Sequence, residues 1–399
     1  MQAGRTFLLL LLGSAHSLNH SLFLVLPPLL PLIIEETGAS IQTLGVVANA
    51  GYLAYGVGAM VGGALSDRVG EKRVLTMSIG LSGASTVIIY LLPNIVGLGI
   101  GFFVMSVWAS LYHPVANSLI SKVYSPKPAE AMGIHGAGGS LGQAFAPMIS
   151  VVVGVAFGWS SSFLFYGVMA ILLSVYFSRA ASDEALLGSI LHKEQSPKFR
   201  SLLYFLRSPG MMVLVAFNVF GGLYYRGVEF ILPTFLVQSR ALPLELAGMA
   251  ASLVFVFAVL GQLLGGKSAD RIGNKKVLIF SAVGALIGLI CLLAVPNPML
   301  GLLFFLILYG TLFSAHQPPF NSEVAALTDK KVMGAMFGVQ FFITFGIGSF
   351  AASIAGYLAE GHGLDTAMIA ITLFVLGGVV AALLLPERKK ISYPSATKQ

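Results

Sequence analysis

The chain has 399 residues, of which 56% are hydrophobic and only 10% are charged, and its formal net charge at pH 7 is +7. Soluble domains carry about 25% charged residues, so this composition excludes a soluble enzyme, a nucleic-acid-binding protein and a disordered chain. The single cysteine, Cys291, excludes an intrachain disulfide framework and a cysteine-rich metal site. The composition therefore predicts an integral membrane protein.

Apolar runs long enough to cross a bilayer occur twelve times along the chain. A spanning helix needs about 20 mostly apolar residues, because every backbone amide must be hydrogen-bonded within the segment. The predicted spans are Thr6–Ile34, Leu44–Leu65, Val74–Leu92, Ile95–Ile120, Ala129–Val153, Ser161–Phe177, Met211–Val237, Leu246–Gly266, Val277–Val295, Met299–Ala325, Val332–Leu358 and Thr366–Leu385. The first run is longer than the core of a secretory signal, so we predict a retained span.

The basic residues predict the orientation of these spans. If the N-terminus is inside, every lysine and arginine except Arg226 and Arg240 falls in an inside loop or in a terminal segment. The acidic residues Glu35, Glu36 and Asp365 fall on the opposite side. This distribution follows the positive-inside rule. We therefore predict a multi-pass protein of the cell inner membrane, surrounded by lipid, with both termini in the cytoplasm.

An internal repeat divides the chain into two halves. The stretch GALSDRVGEKR begins at Gly63, and GKSADRIGNKK begins 203 positions later at Gly266. At the same offset, His113 corresponds to His316. Such a repeat predicts two six-helix bundles in the same membrane orientation. The predicted division is an N-terminal bundle over residues 1–179, a cytoplasmic linker over 180–209, a C-terminal bundle over 210–386 and a cytoplasmic tail over 387–399.

The repeated loop resembles the signature of the major facilitator superfamily, G-x-L-x-D-R-x-G-x-[KR]-[KR]. The resemblance implies an all-α integral membrane fold with twelve transmembrane helices in two pseudo-symmetric six-helix bundles. It also implies a secondary transporter rather than an enzyme, working by alternating access as a monomer on a small-molecule substrate, without nucleic acid. The residues expected to form the gating loops are Gly63, Asp67, Arg68, Gly70 and Arg73 in the first copy and Asp270, Arg271 and Gly273 in the second.

Two further segments predict the direction of transport. The first helix, AHSLNHSLFLVLPPLLPLI, resembles the opening of fosmidomycin-resistance-type efflux proteins, although His20 stands where that group has aspartate. The fifth helix resembles the glycine-rich motif of drug:proton antiporters at Gly138, Gly142 and Pro147. These resemblances imply export in exchange for protons, and the histidine at position 20 means that the substrate of the group is not carried over.

Polar residues in the middle of the spans are the candidate transport site, because each costs about 2.5–3.5 kcal/mol to insert. Glu229, His20 and His113 are expected to move protons. The expected substrate-binding residues are His16, Asn19, Arg226, His316, Gln317, Asn321 and Gln143. Two alternatives stay open. In the first, His113 and His316, which precede prolines, bind backbone carbonyls freed by the kinks rather than substrate. In the second, Arg226 and Glu229 form a purely structural ion pair.

The same histidines raise the question of a metal. His16 and His20 are four residues apart on one helix face, and His113 or His316 would complete a ligand set. Because no cysteine or clear carboxylate ligand lies near them, we predict no metal and no cofactor. The predicted function is proton-coupled efflux of a small amphipathic or anionic organic compound by alternating access. The alternative is proton-coupled uptake of a small organic acid, or of a metal or metal chelate, by the same fold.

Overall fold

The computed structural model describes residues 2–124, 128–181, 208–329 and 332–386. Most of the predicted linker and the whole predicted tail lie outside these ranges. Within them every regular element is helical, and twelve helical segments are long and apolar enough to cross a membrane. The prediction of an all-α protein with twelve spans is therefore confirmed.

The helices follow one another with short connections. Before the undescribed stretch they are α1 Gln2–Leu24, α2 Leu26–Thr37, α3 Ile41–Val69, α4 Glu71–Leu91, α5 Ile95–Ala109, α6 Tyr112–Val123, α7 Pro128–Phe157 and α8 Trp159–Ala180. After it they are α9 Pro209–Gln238, α10 Leu244–Ile272, α11 Asn274–Ala294, α12 Pro298–Phe305, α13 Thr311–Ala315, α14 Gln317–Ala326, α15 Met333–Phe342, α16 Phe350–His362 and α17 Leu364–Leu384. Two π-helical segments, Leu306–Gly310 and Ile343–Ile347, lie in the tenth and eleventh spans.

Prolines explain the interruptions within spans. The first span is divided between α1 and α2, where Pro27 occupies the first turn of α2 and has no amide hydrogen to donate. The fourth span turns between α5 and α6, just ahead of Pro114. The tenth span changes from α13 to α14 at His316, ahead of Pro318. Each break frees backbone polar groups near the middle of a span, where side chains can bind.

The repeated loops adopt the same backbone turn in both halves. Gly70 ends α3 and begins α4 with φ 95° and ψ 140°, and Gly273 ends α10 and begins α11 with φ 93° and ψ 151°. Only glycine adopts this region without strain. The glycines of the signature therefore form a tight turn between the second and third spans of each half.

The two halves contact each other at the end of the molecule opposite these loops. There α3 packs on α16, and α7 packs on α10. A side chain at Gly45 would place its Cβ 2.4 Å from the Ala352 carbonyl oxygen, so the backbones touch. Nearby, the Ser349 hydroxyl donates to Asn49 Oδ1 at 2.6 Å. Helices α6 and α14 are the parts of the fourth and tenth spans nearer to the signature loops. Each packs mainly within its own half.

Candidate functional site

A buried ion pair lies in the seventh span. Arg226 and Glu229 are one turn apart on α9, and Arg226 Nη1 donates to Glu229 Oε1 at 2.5 Å. Their side chains are only 3% and 4% exposed. Among the described residues, neither Arg226 Nε nor Glu229 Oε2 has a hydrogen-bond partner. Because buried polar groups are nearly always paired, these two atoms make the pair a candidate site for binding another polar group.

Aromatic rings from both halves surround the guanidinium. The Arg226 Cζ atom lies 5.0 Å from the ring centre of Tyr52, 4.6 Å from that of Tyr225 and 4.2 Å from that of Phe345. We refer to these three residues as the aromatic cage. Each distance is within the range of a cation–π interaction. Since Tyr52 lies on α3 and the other two lie in the second half, the cage closes across the interface between the halves.

The π-helical segment in the eleventh span places Phe345 in the cage. Gly56 of α3 faces it, and a Cβ there would lie 2.6 Å from the Gly346 nitrogen. The segment is held on its other side by Thr344, whose hydroxyl donates to Asn218 Oδ1 at 2.9 Å. Such π-helical insertions are frequent at functional sites because they change the direction of the side chains that follow.

Three histidines converge in the first half next to this cage. The ring centres are 4.7 Å apart for His16 and His20, 4.8 Å for His16 and His113, and 5.2 Å for His20 and His113. One ring nitrogen from each lies within 4.8 Å of the others. The Nε2 atoms of His16 and His20 are 3.0 Å apart. The Nε2 atom of His113 is buried and has no hydrogen-bond partner among the described residues. We refer to these three residues as the histidine cluster.

A fourth histidine, which is not one of the predicted site residues, orients the cluster. The His16 ring donates from Nδ1 to the His135 carbonyl oxygen at 2.8 Å and stacks on the His135 ring at a centroid distance of 4.1 Å. The Tyr112 hydroxyl lies 3.1 Å from His135 Nε2 and donates to the Leu12 carbonyl oxygen. His135 therefore orients the His16 ring through a hydrogen bond and ring stacking, and Tyr112 in turn contacts the His135 ring.

Asn19 and Tyr55 connect the cluster to the cage. Asn19 donates to the Ala109 carbonyl oxygen at 3.0 Å and accepts from the Tyr55 hydroxyl at 2.7 Å. The Tyr55 ring lies 5.3 Å from the ring of Phe345 and 6.1 Å from that of His113. The Ala109 carbonyl at the end of α5 is thus bound by a side chain of the first span.

The two halves also interact directly through predicted site residues. His20 of the first half is near enough to Arg226 of the second to interact with it electrostatically. Gln143 of α7 donates to the Tyr225 hydroxyl at 3.4 Å. The structure therefore gathers seven of the predicted residues in one region between the halves: His16, Asn19, His20, His113, Gln143, Arg226 and Glu229.

The structure places the predicted residues of the tenth span elsewhere. His316 donates from Nδ1 to the Phe313 carbonyl oxygen, which is the backbone role left open for it. Gln317 is exposed and accepts from Gln262 at 2.8 Å, and Asn321 is also exposed. The residue of this span that approaches the ion pair is Tyr309, about 12 Å and two turns before Gln317.

An apolar cavity adjoins the carboxylate of the ion pair. Glu229, Tyr225 and Tyr309 line it from the second half, and Pro27 and Pro147 line it from the first. The Tyr309 hydroxyl is buried there and has no hydrogen-bond partner among the described residues. The cavity thus has mainly apolar walls, to which Glu229, Tyr225 and Tyr309 contribute polar side chains.

The glycines of the fifth span pack against the first span. A Cβ at Gly138 would lie 2.3 Å from the Gly13 carbonyl oxygen, and one at Gly142 would lie 2.1 Å from the Ser17 carbonyl oxygen. Small residues allow this close approach of helix backbones. The contact brings the backbone of His135, one turn earlier on α7, against the ring of His16.

Each signature loop makes a polar contact with the fourth span of its own half. In the first, Lys122 Nζ donates to Glu71 Oε1 at 2.8 Å. In the second, Asn274, which corresponds to Glu71 in the repeat, donates to Glu323 Oε1 at 2.8 Å. The Asp67 side chain lies outside the described part of the chain, and the remaining signature residues with described side chains stand at the loops: Arg68, Arg73, Asp270 and Arg271.

Comparisons with known proteins agree with this architecture. The model of the Major Facilitator Superfamily matches residues 9–353 and, in a second match, 230–399. The cis,cis-muconate transport protein of Acinetobacter baylyi is 24% identical over 90% of the chain and 88% of its own length. The multidrug efflux pump Tap of Mycolicibacterium fortuitum is 24% identical over 91% of the chain and 92% of its own length. A crystal structure of a bacterial homolog of the human lysosomal transporter Spinster, inward-facing and unoccupied, aligns with a TM-score of 0.82 at 16% identity, covering 96% of this chain and 98% of that one.

Proposed function

Since the chain belongs to the Major Facilitator Superfamily and is therefore a membrane transporter of small molecules, we propose that it carries a small organic anion together with a proton by alternating access. The observation that carries the proposal is the ion pair of Arg226 and Glu229, buried between the two halves inside the aromatic cage. A buried charge without a partner is strongly penalised. A transported anion must therefore replace Glu229 as the partner of Arg226, and a transported proton must neutralise Glu229 in place of Arg226.

Charge balance couples the anion to the proton. In the empty site the charges of Arg226 and Glu229 cancel. A cargo carboxylate that binds Arg226 displaces Glu229, and the buried site then has one negative charge too many unless Glu229 takes up a proton. With a singly charged anion and one proton bound the site is neutral again, and a dicarboxylate reaches the same neutrality by binding with one further proton. The protein therefore changes access from one side of the membrane to the other at least cost when the site is either empty or fully loaded.

The chemistry of the site fits a small amphipathic acid. A guanidinium binds a carboxylate through two parallel hydrogen bonds, and Arg226 has an unpartnered Nε available for this. The apolar walls beside Glu229 would contact the remainder of such a molecule once the halves move apart to admit it, with the Tyr309 hydroxyl as a further polar contact. The cis,cis-muconate transport protein, a relative along most of the chain, supports an organic acid as the class of cargo.

We assign the proton to Glu229 rather than to His20 or His113. Glu229 contacts Arg226 directly, so its protonation releases the group that binds the anion. The two histidines belong to the histidine cluster and pack against other rings, and in the described part of the chain neither is hydrogen-bonded to Arg226.

With both termini in the cytoplasm, as the distribution of basic residues predicts, the conformation described above is closed at the outer end. The contacts of Gly45 with Ala352 and of Ser349 with Asn49 form that closure. The bacterial Spinster homolog was crystallised in an inward-facing conformation, which supports the same assignment here. Transport then requires these contacts to break.

Export of an amphipathic compound in exchange for protons is the second candidate. It is supported by the resemblance of the fifth span to drug:proton antiporters at Gly138, Gly142 and Pro147, and by the efflux pump Tap among the relatives. In an exchanger the proton and the cargo must exclude each other at the site. In the buried pair, however, protonation of Glu229 makes Arg226 available to an anion, so proton and anion favour each other's binding.

Flux in proteoliposomes distinguishes the two candidates. The probes are a panel of carboxylates that includes cis,cis-muconate, each tested beside its neutral amide. For cotransport we expect a carboxylate to accumulate when the lumen is alkaline relative to the bath, whereas accumulation in an acidic lumen indicates exchange. Glu229→Gln should abolish the response to the pH gradient but retain exchange of labelled for unlabelled cargo. Glu245→Gln, at an exposed carboxylate that begins α10, is the matched control. Wild-type coupling in Glu229→Gln would remove Glu229 from the mechanism.

A further inference from the structure

The ring nitrogens of the histidine cluster converge in a way that the proposed proton-linked transport does not require. We propose that His16, His20 and His113 bind a single divalent ion of the late first-row transition metals. The three imidazoles come from two different spans of the first half, and their nitrogens lie within 4.8 Å of one another. The site is separate from the ion pair of Arg226 and Glu229, so it can be tested without reference to transport.

His16 is oriented as a metal ligand. Its Nδ1 donates to the His135 carbonyl oxygen at 2.8 Å, so the proton of the neutral ring is on Nδ1 and the lone pair is on Nε2. Ligating histidines almost always hold their other ring nitrogen in this way, which fixes the tautomer and the direction of the ring. The lone pair of His16 is therefore directed at the other two rings of the cluster.

The distances are close to those of a tetrahedral site. Metal–nitrogen bonds of about 2.0–2.1 Å place two ligand nitrogens about 3.3 Å apart at tetrahedral angles. The Nε2 atoms of His16 and His20 are 3.0 Å apart, in a hydrogen bond that His20 donates because the lone pair of His16 is on Nε2. Metal binding replaces this hydrogen bond and shifts the proton of the neutral His20 ring to Nδ1, which frees its Nε2 as a ligand. No two of the three ligand nitrogens are more than 4.8 Å apart, so they must draw together by at most about 1.5 Å to share one ion.

His113 supplies an independent observation. Its Nε2 is buried and has no hydrogen-bond partner among the described residues. A buried polar atom without a partner is uncommon and calls for an explanation. A cation shared with His16 and His20 would satisfy this nitrogen. A hydrogen bond from Nδ1 to a backbone carbonyl, as His316 makes, would leave Nε2 without a partner.

The ligand set selects the class of metal. Neutral imidazole suits Zn²⁺, Co²⁺, Ni²⁺ and Cu²⁺, whereas Mg²⁺ and Ca²⁺ require oxygen ligands. Three protein ligands leave the fourth tetrahedral position open. Because the ion would add two positive charges near Arg226, with which His20 interacts, an anion or hydroxide is favoured in that position.

The test is metal binding by purified, chelator-stripped protein without an affinity tag, in detergent. Zn²⁺ affinity is measured by competition with a chromophoric chelator for the wild type and for His16→Gln, His20→Gln and His113→Gln. Each substitution should weaken binding by at least about 10-fold, because even the loss of a residue that only supports a ligand costs 10–100-fold. His316→Gln is the matched control, since it removes a part-buried histidine whose Nδ1 already bonds a carbonyl. It should leave the affinity unchanged.

The visible spectrum of bound Co²⁺ tests the site without any substitution. A four-coordinate ion in a nitrogen site gives intense bands, whereas a hydrated six-coordinate ion gives faint ones. Intense bands in the wild type that are lost in His113→Gln support the proposal. Faint bands in the wild type, or equal Zn²⁺ affinity in the wild type and all three variants, overturn it. Neither result bears on the pH-gradient experiment, which uses no metal.

Discussion

The ring of His16 occupies the space that a side chain on Gly139 would fill. A Cβ at Gly139 would lie 2.5 Å from Cε1 of His16 and 2.7 Å from both of its ring nitrogens. Gly139→Ala should therefore displace the ring from the His135 carbonyl oxygen and from His20. We expect overpacking to cost about 1–3 kcal/mol of stability, and Zn²⁺ affinity to fall as it does in His16→Gln. Thermal unfolding and the chelator competition measure the two effects.

Gly136, one turn earlier on α7, provides the control. A Cβ there meets no atom within 4 Å, so Gly136→Ala should leave Zn²⁺ affinity unchanged. It should also stabilise the helix by up to about 1 kcal/mol, because alanine is the better helix former. Equal losses of metal affinity in both variants would show that His16 does not depend on the space left by Gly139.

The histidine cluster was only partly predictable from the sequence. His16 and His20 are four residues apart in one span, so helix periodicity alone places them on one face. That His113 joins them, and that His316 does not, depends on the rotation of the fourth and tenth spans about their axes. Hydropathy does not specify this rotation. The role of His135 was out of reach for a different reason, since its hydrogen bond to His16 comes from a backbone carbonyl, which any residue type would supply, and only its ring stacking depends on the side chain.

Removing both members of the buried ion pair should cost less stability than the sum of the costs of removing each one alone. Arg226→Met leaves the Glu229 carboxylate buried without its partner, at a cost of about 3–5 kcal/mol. Adding Glu229→Gln removes the unpaired charge, so the double variant should be more stable than Arg226→Met alone. The unfolding temperatures of the wild type, both single variants and the double variant form the double-mutant cycle. Additive losses would mean that the two side chains do not stabilise each other.

The glycine turns of the signature loops can be tested in the two halves separately. Gly70 and Gly273 have φ of 95° and 93° with ψ of 140° and 151°, a region essentially confined to glycine in which a residue with a Cβ is strained by about 1–3 kcal/mol. Gly70→Ala and Gly273→Ala should each lower the free energy of unfolding by about that amount. Gly361→Ala, at a helical glycine where an added Cβ meets no atom within 4 Å, should be neutral or stabilising. A neutral Gly70→Ala would contradict the turn described for the first loop.

The fold was largely predictable because span length, basic loops and the repeat are properties of the sequence itself. All twelve spans were located, and the turn at Gly273 is a copy of the turn at Gly70. The cage was not predicted, because Tyr52 and Phe345 belong to different halves and resemble ordinary apolar packing residues in the sequence. The π-helical segment Ile343–Ile347 adds to the difficulty, since it shifts the helical periodicity that would assign Phe345 to a face.

Alternating access predicts that a crosslink between Asn49 and Ser349 stops transport. Their side chains hydrogen-bond at 2.6 Å across the closed end of the two halves. In a Cys291→Ser background, Asn49→Cys with Ser349→Cys should form a disulfide on mild oxidation, which holds the halves together after proteolysis at a site introduced between them. Oxidation should abolish nearly all flux, because the contacts of this end must break in each cycle, and a reductant should restore it. The single-cysteine variants, treated identically, should keep their flux. Full flux in the crosslinked protein would mean that the closed end does not open during transport.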